Sequence, residues 1–413
     1  MILFRLAWRN LWRNRRRTQL TMGGMVLATS LLIFTLAMYD GMLWDMIENV
    51  TEVMTGHIVI ARAGWLEQPG LHLTIDAAGG TPAWLRDRPG IRGVCGRVSA
   101  FALLSCGPER NARTHPGQLV GIDPGAEARI SRLGRCVTRG RFLDAADGMD
   151  VVLGAGLARR LEASPGSELI VVGQAADGSM VTEILRIVGI IDTGDQMRDG
   201  SLALAGLETM RRIFCLEGRL HSLHIFLDDP LSARDAAAGL SAAAKGSGLA
   251  ASPWQVLQPQ LSQVFSIWLG MQIFTMGFYY FGIVLITFST MYMSFLERFR
   301  EFGMLRAIGL KPWRLSLLII LEGGMMSVFA GILGMGLGLL MGWWISAAPI
   351  DLGWFAPPVS WGGTTFVPRI RGVLNVVNVL MPGAVMMLLG AAVACYPAWR
   401  LLFLRPVEAL REG

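Results

Sequence analysis

Between residues 297 and 310 the chain reads Glu297-Arg298-Phe299-Arg300-Glu301-Phe302-Gly303-Met304-Leu305-Arg306-Ala307-Ile308-Gly309-Leu310. Charged and apolar side chains interleave here at helical spacing. Gly309 before Lys311-Pro312 suits a helix stop. The chemistry such a stretch offers is docking: a short amphipathic helix presenting Phe302, Met304, Leu305 and Ile308 to a partner. An ordinary interfacial loop is the alternative. Bond-making chemistry has less to stand on. The sequence holds no G-x-x-x-x-G-K-[ST], no H-E-x-x-H and no G-x-S-x-G. Its five cysteines, at 95, 106, 136, 215 and 395, include no C-x-x-C. His221 and His224 stand three apart in an expected strand, which turns them to opposite faces and makes poor metal geometry. The expectation is a non-catalytic chain with no metal or cofactor of its own.

The elements that position the docking stretch follow from charge. Of 413 residues, 53% are hydrophobic and only 16% charged, with a net charge of +6; soluble domains carry roughly 25% charge. The windows Thr18 to Tyr39, Gly246 to Leu296, Gly323 to Ile350 and Gly372 to Trp399 contain no Asp, Glu, Lys or Arg. A membrane helix needs about 20 mostly apolar residues. Each window holds one, near 19–40, 267–294, 317–346 and 376–402. The first apolar stretch is too long for a cleaved leader and lacks a small-residue cleavage site, so it reads as a retained anchor.

Arginine sets the orientation. Arg5, Arg9, Arg13, Arg15, Arg16 and Arg17 precede the first span; Arg298, Arg300, Arg306, Lys311 and Arg314 lie between the second and third; Arg400, Arg405 and Arg411 end the chain. With four spans all three groups fall on one side, the cytoplasm. The opposite side receives residues 41–266 and the loop 347–375. Residues 41–266 hold 21 Lys+Arg and 24 Asp+Glu, a net −3 that leaves +9 for the rest. The basic balance is therefore a topology signal, and no nucleic-acid partner is implied.

Residues 1–18 form an amphipathic helix, with Phe4, Trp8, Leu11 and Trp12 on one stripe and Arg5, Arg9, Arg13 and Arg16 on another. Such a helix lies in the membrane interface, its arginines near lipid phosphates. The outer segment reads as mixed α/β. Strands are expected at His57–Ile60, Gly93–Leu104, Gly117–Ile122, Asp150–Gly154, Glu168–Gly173, Val181–Ile191 and Leu220–Leu227. Helices are expected at Gly156–Glu162, Leu207–Cys215 and Pro230–Lys245. Cys95 and Cys106, on one antiparallel hairpin, either pair or simply pack. The fold class is an α-helical membrane protein with four transmembrane helices and a large extracytoplasmic mixed α/β domain between helices 1 and 2. Its parts are 1–18, 19–40, 41–266, 267–294, 295–316 (the docking segment), 317–346, 347–375, 376–402 and a tail, 403–413.

The motif E-R-x-R-E-F-G-x-L-R-A-I-G, followed by an apolar span bearing Glu322, resembles the FtsX-like permeases. These are membrane subunits of the MacB-fold (type VII) ABC systems. The ending Tyr396-Pro397-Ala398-Trp399-Arg400 through Arg405-Pro406-Val407-Glu408-Ala409-Leu410-Arg411 is similar to that family's, with Leu401 in place of its Ala. Gly140-Arg141-Phe142, Val151-Val152-Leu153-Gly154, Leu157-Ala158-Arg159-Arg160-Leu161 and Val188-Gly189-Ile190-Ile191-Asp192-Thr193-Gly194 resemble its outer domain. Trp8-Arg9-Asn10-Leu11-Trp12-Arg13-Asn14 and Gly56-His57-Ile58-Val59-Ile60 look most like a LolC/LolE-type, lipoprotein-releasing subgroup.

The resemblance implies a bacterial inner-membrane protein with both termini cytoplasmic. It implies a second permease copy or paralogue, an ABC ATPase dimer that carries ATP and Mg, membrane lipids, and a periplasmic carrier or adaptor. Residues 297–309 become the ATPase-coupling helix, with Glu301 and Arg306 at the rim of its contact; Glu322, Pro397, Arg400, Pro406 and Arg411 support it. Glu322 in the third span costs a few kcal/mol unless it lies near the interface or is paired, with Arg298 or Arg306 as mate. The implied mechanism is mechanotransmission, in which cytosolic ATP hydrolysis moves the outer domains. The function expected is extraction of lipoprotein or other lipophilic cargo from the outer leaflet. The alternatives are a signalling permease that drives a cell-wall hydrolase and an adaptor-linked peptide or drug exporter. Related permeases hold a cavity between spans one and two, which maps here to Met38, Trp268, Met271, Phe274, Phe278 and Tyr279. Flexible Met and flat aromatics suit acyl chains.

Overall fold

The computed structural model describes residues 2–77, 82–85, 88–108, 112–144, 148–351, 359–361, 364–366 and 369–403. Two compact units emerge, one from Met1–Trp44, Phe265–Leu352 and Arg369–Gly413, the other from Asp45–Val264 and Gly353–Pro368.

The first unit is helical. The N-terminal helix Ile2–Leu11 precedes four long helices, Arg15–Val50, Pro259–Glu297, Pro312–Ala347 and Val376–Leu402. All four are long and apolar enough to cross a membrane. The first two overrun the ranges 19–40 and 267–294. Residues 41–50 contain no Pro, and their polar side chains are compatible with a helix. Pro259 sits in the opening turn of the second helix, where its missing N–H costs nothing.

Close backbone approach joins the third and fourth helices. A Cβ at Gly390 would lie 2.3 Å from Ser327 Oγ, and one at Gly323 would lie 2.8 Å from Gly390 O. Ser327 Oγ donates to Met387 O at 3.0 Å. Small residues of this kind let membrane helices pack without a hydrophobic driving force. The second helix is different. Only 6% of its apolar window is buried in the protein, against 33–56% for the other three.

The N-terminal helix is more than an interfacial float. Ala7 and Leu11 are buried with Met291, Leu318, Met325 and Met326, so Leu11 faces protein. Phe4, Trp8 and Trp12 remain exposed.

The second unit contains β1 (Ile58–Arg62), β2 (Ile75–Asp76), β3 (Ile91–Cys106), β4 (Arg113–Ile122), β5 (Val137–Gly140), β6 (Asp150–Gly154), β7 (Glu168–Gln174), β8 (Met180–Ile191), β9 (Leu202–Gly206), β10 (Arg219–Leu220), β11 (Ser222–Leu227) and β12 (Leu249–Pro253). β3 pairs β4, β4 runs parallel to β9, and β9 pairs β6. β6 runs parallel to β8, β8 pairs β7, and β7 returns to β3. These six strands therefore close a ring, which removes their edges. β11, β1 and β12 extend from the first half of β3 as an antiparallel wing. Val120, Ile122, Val152, Ile191, Leu202 and Leu204 share one buried cluster.

The expected strands lie close to observed ones, with one break. Leu220–Leu227 is interrupted at His221, whose Nδ1 accepts from Ser99 N at 2.9 Å. The elements not anticipated include β2, β5, β9, β12 and the helix Pro124–Ile130. β9 reads Leu-Ala-Leu-Ala-Gly, weak in strand propensity, and it is buried between β4 and β6. The helix had a readable signal, since Asp123 caps it from just before Pro124.

Cys95 and Cys106 are not on two arms of a hairpin. Both lie on β3, about 36 Å apart along an extended strand, so they cannot pair. Both are free and buried.

Arg97 and Glu127 form an ion pair inside this unit. Arg97 Nε donates to Glu127 Oε1 at 2.8 Å, with side-chain exposures of 2% and 0%. Arg97 also donates to Met54 O, tying β3 to the turn that follows the first long helix.

Candidate functional site

The docking stretch folds as a short helix, Phe299–Ala307, between the second and third long helices. Gly309 closes it with φ +98. Gly309 N bonds Arg306 O at 3.0 Å and Leu310 N bonds Leu305 O at 3.1 Å. Those two bonds are a Schellman ending, which needs a left-handed residue that glycine adopts without strain.

The helix does not present all four apolar residues assigned to its ridge. Phe302 is 1% exposed, packed with Phe295, Leu315, Ile319 and Leu401. Leu305 is half-buried against the same cluster. Phe302 is thus the root of the helix and does not face a partner. Gly303 is buried as well. The free surface is Met304, Ala307 and Ile308, the last 82% exposed.

The charges are largely spoken for within the unit. Arg13 binds both oxygens of Glu301, at 2.9 and 3.1 Å. That hydrogen bond holds the Glu301 carboxyl below its ordinary range. Arg17 pairs with Glu297. Arg298 holds Glu322 at 2.9 and 3.0 Å, stands 3.5 Å from Glu301 and lies over the Phe302 ring at 4.9 Å. Arg300 and Arg306 are the exceptions: Arg300 is exposed with no ion pair among the described residues, and Arg306 Nη1 is buried with no hydrogen-bond partner among them. By sequence, Arg13 reads as a topology and lipid-interface residue and Arg17 as a topology residue. Their acidic mates lie some 280 residues away, beyond any local pattern.

Pro397 is buried within the fourth helix. Arg400 donates to the Tyr292 hydroxyl at 2.6 Å. Pro406 and Arg411 lie outside the described residues.

Of the residues assigned to a cargo cavity, Met271, Phe274 and Phe278 are 50%, 75% and 70% exposed on the second helix. At i, i+3 and i+7 they share one stripe. Met38 and Tyr279 are half-buried. Trp268 is half-buried, and Tyr39 packs edge-on against it, centroids 5.3 Å apart.

A polar node nearby had gone unread. Asp40 accepts from Gln272 Nε2 at 3.1 Å and from Asn378 Nδ2 at 2.5 Å, joining the first, second and fourth long helices. An acid immediately after an apolar run was the signal available. Among the described residues no group of three or more His, Cys, Asp or Glu is placed to hold a metal.

Comparison with known proteins gives this geometry a lineage. The FtsX-like permease C-terminal family model matches residues 273–406. The MacB-like periplasmic core domain model matches residues 18–243, more than half of the chain. The lipoprotein-releasing system transmembrane protein LolC of Neisseria meningitidis is 26% identical over 62% of this chain and 62% of its own length. The LolC of Xylella fastidiosa (strain Temecula1) is 23% identical over 94% of this chain and 92% of its own. The crystal structure of the periplasmic region of MacB from Actinobacillus actinomycetemcomitans covers 53% of this chain and 98% of that one. It does so at 16% identity with a TM-score of 0.36. By its two family matches the chain belongs to the FtsX-like permeases with a MacB-like periplasmic core domain, the ABC transporter permeases of the MacB, FtsX and LolC type.

Proposed function

We propose that this permease takes up motion from a separate cytosolic ATPase through the helix Phe299–Ala307 and uses it to extract lipoprotein or other lipophilic cargo on the opposite side of the inner membrane. The observation that carries the coupling role is the two-sided build of that helix. Phe302 roots it in the bundle while Met304 and Ile308 stand free. Arg13 and Arg298 fasten it through Glu301 to the start of the first long helix and through Glu322 to the third. A push on the exposed side then reaches two membrane helices through short ion pairs. An ATPase docked there puts this end of the bundle, and both termini, in the cytoplasm.

Met304→Glu/Ile308→Glu is the direct test, because both side chains are exposed and the fold does not need them. ATPase co-purification and cargo release are expected to fall roughly tenfold or more, as for loss of central apolar anchors. Normal ATPase binding with normal transport would remove the coupling role.

The cargo reading rests on the second helix, whose apolar stripe is left bare by the rest of the chain. Photocrosslinkers at Met271, Phe274 and Phe278 are expected to capture acylated cargo, and those at Leu337 and Leu340 on the third helix are not. Capture confined to the third helix would sink this assignment. Capture of a non-lipidated peptide instead would favour the adaptor-linked exporter.

A further inference from the structure

A second apolar surface lies apart from the docking helix and the Met271 stripe. The N-terminal helix and the third and fourth long helices enclose a groove of about 890 Å³. Ligand pockets span roughly 300–1,000 Å³. Its walls include Phe4 and Trp8 on one side and Leu321, Val328 and Phe329 on the other, with Met387 contributed by the fourth helix. Trp8 leans on Phe329 with ring centroids 5.4 Å apart. The only charged residues in the lining are Arg5 and Arg9.

We propose that this groove binds one anionic phospholipid, its acyl chains along the third helix and its phosphate on Arg5 and Arg9. Depth supports the choice. From Ile320 to Phe329 the wall runs roughly 14 Å along the helix axis, about half of a 30 Å hydrocarbon core. That is the reach of one leaflet. Charge supports it too. Arg5 and Arg9 are one helical turn apart, so they share a face. Both are exposed, and neither has an ion-pair partner among the described residues, whereas Arg13 and Arg17 are paired. Residues 1–18 contain no acid, and none lines the groove. In a bilayer an apolar recess of this size fills with hydrocarbon, and two unpaired guanidinium groups at its edge select a phosphate that carries net negative charge. A lipid held there would brace the N-terminal helix, whose next turn carries Arg13 to Glu301.

The test uses the full-length permease in nanodiscs with phosphatidylglycerol or phosphatidylcholine carrying a photoreactive acyl chain. Phosphatidylglycerol is expected to label peptides containing Trp8, Phe329 or Met387 roughly tenfold more than phosphatidylcholine does, as two basic side chains near one phosphate imply. Arg5→Gln/Arg9→Gln is expected to abolish that preference, while Arg15→Gln keeps it. Gly324→Leu should reduce labelling by either lipid. Gly324 lines the groove, and a Cβ there meets only Ala391 Cβ, at an ordinary 3.7 Å. Equal labelling by the two lipids, an unchanged Arg5→Gln/Arg9→Gln variant, or capture of a protein segment in place of lipid would each overturn the proposal.

Discussion

Arg298→Met is expected to destabilise the helical unit by roughly 3–5 kcal/mol, the usual cost of stripping one partner from a buried ion pair. Arg298 and Glu322 are 11% and 10% exposed. Without Arg298, the Glu322 carboxylate is left in an apolar bundle without the Nη1 that bonds both of its oxygens. The same arginine covers Phe302, so the root of the docking helix loosens as well. Arg298→Met/Glu322→Leu should recover most of the loss, because two apolar side chains of similar size need no partner. Denaturation midpoints of the solubilised permease separate the cases. A single variant as stable as the parent, or a double variant no better than the single, would count against an ion pair that matters. ATPase coupling offers a second readout. If Arg298 serves to transmit motion, the double variant regains stability without regaining coupling.

Arg97→Met should have an effect of similar size in the mixed α/β unit. Glu127 is fully buried, and Arg97 joins it to the Met54 carbonyl. Removing the guanidinium strands a carboxylate and a carbonyl together, again for roughly 3–5 kcal/mol. Glu127→Gln keeps an acceptor for Arg97 and should cost less. Hydrogen exchange can follow the result residue by residue. Protection along β3 should collapse in Arg97→Met and persist in Glu127→Gln. Full protection in Arg97→Met would mean that the strand ring holds β3 without this pair.

The architecture was legible where a local pattern carries the physics. Charge-free windows of membrane length are a one-dimensional property, because lipid excludes charge wherever the helix sits. Gly309 marked the end of the docking helix because only backbone geometry was at stake. Strands such as β6 and β8 showed as β-branched runs. β9 did not, since its alanines become a strand only between β4 and β6.

Within the candidate site, the residue types at 297–309 were readable as a short amphipathic helix, but the direction each faces was not. Phe302 lies within the short helix and Ile308 caps it, and both are apolar, so periodicity alone rates them alike. Phe302 turned inward because Phe295, Leu315 and Leu401 converge there, and Ile308 stayed out because none of the described residues does. Pairing was equally out of reach: Arg13 and Glu301 are 288 positions apart, and Asp40 finds Asn378 across 338. The sequence by itself determined the four long apolar helices, most strands of the mixed α/β unit and the end of the short helix at Gly309, since apolar run length, strand pattern and helix ending depend on nearby residues. The tertiary structure decided which charges are spent inside the protein, which apolar side chains remain free for a partner or a lipid, and how six strands close on one another. Those outcomes depend on which distant surfaces meet, and no local pattern encodes that meeting.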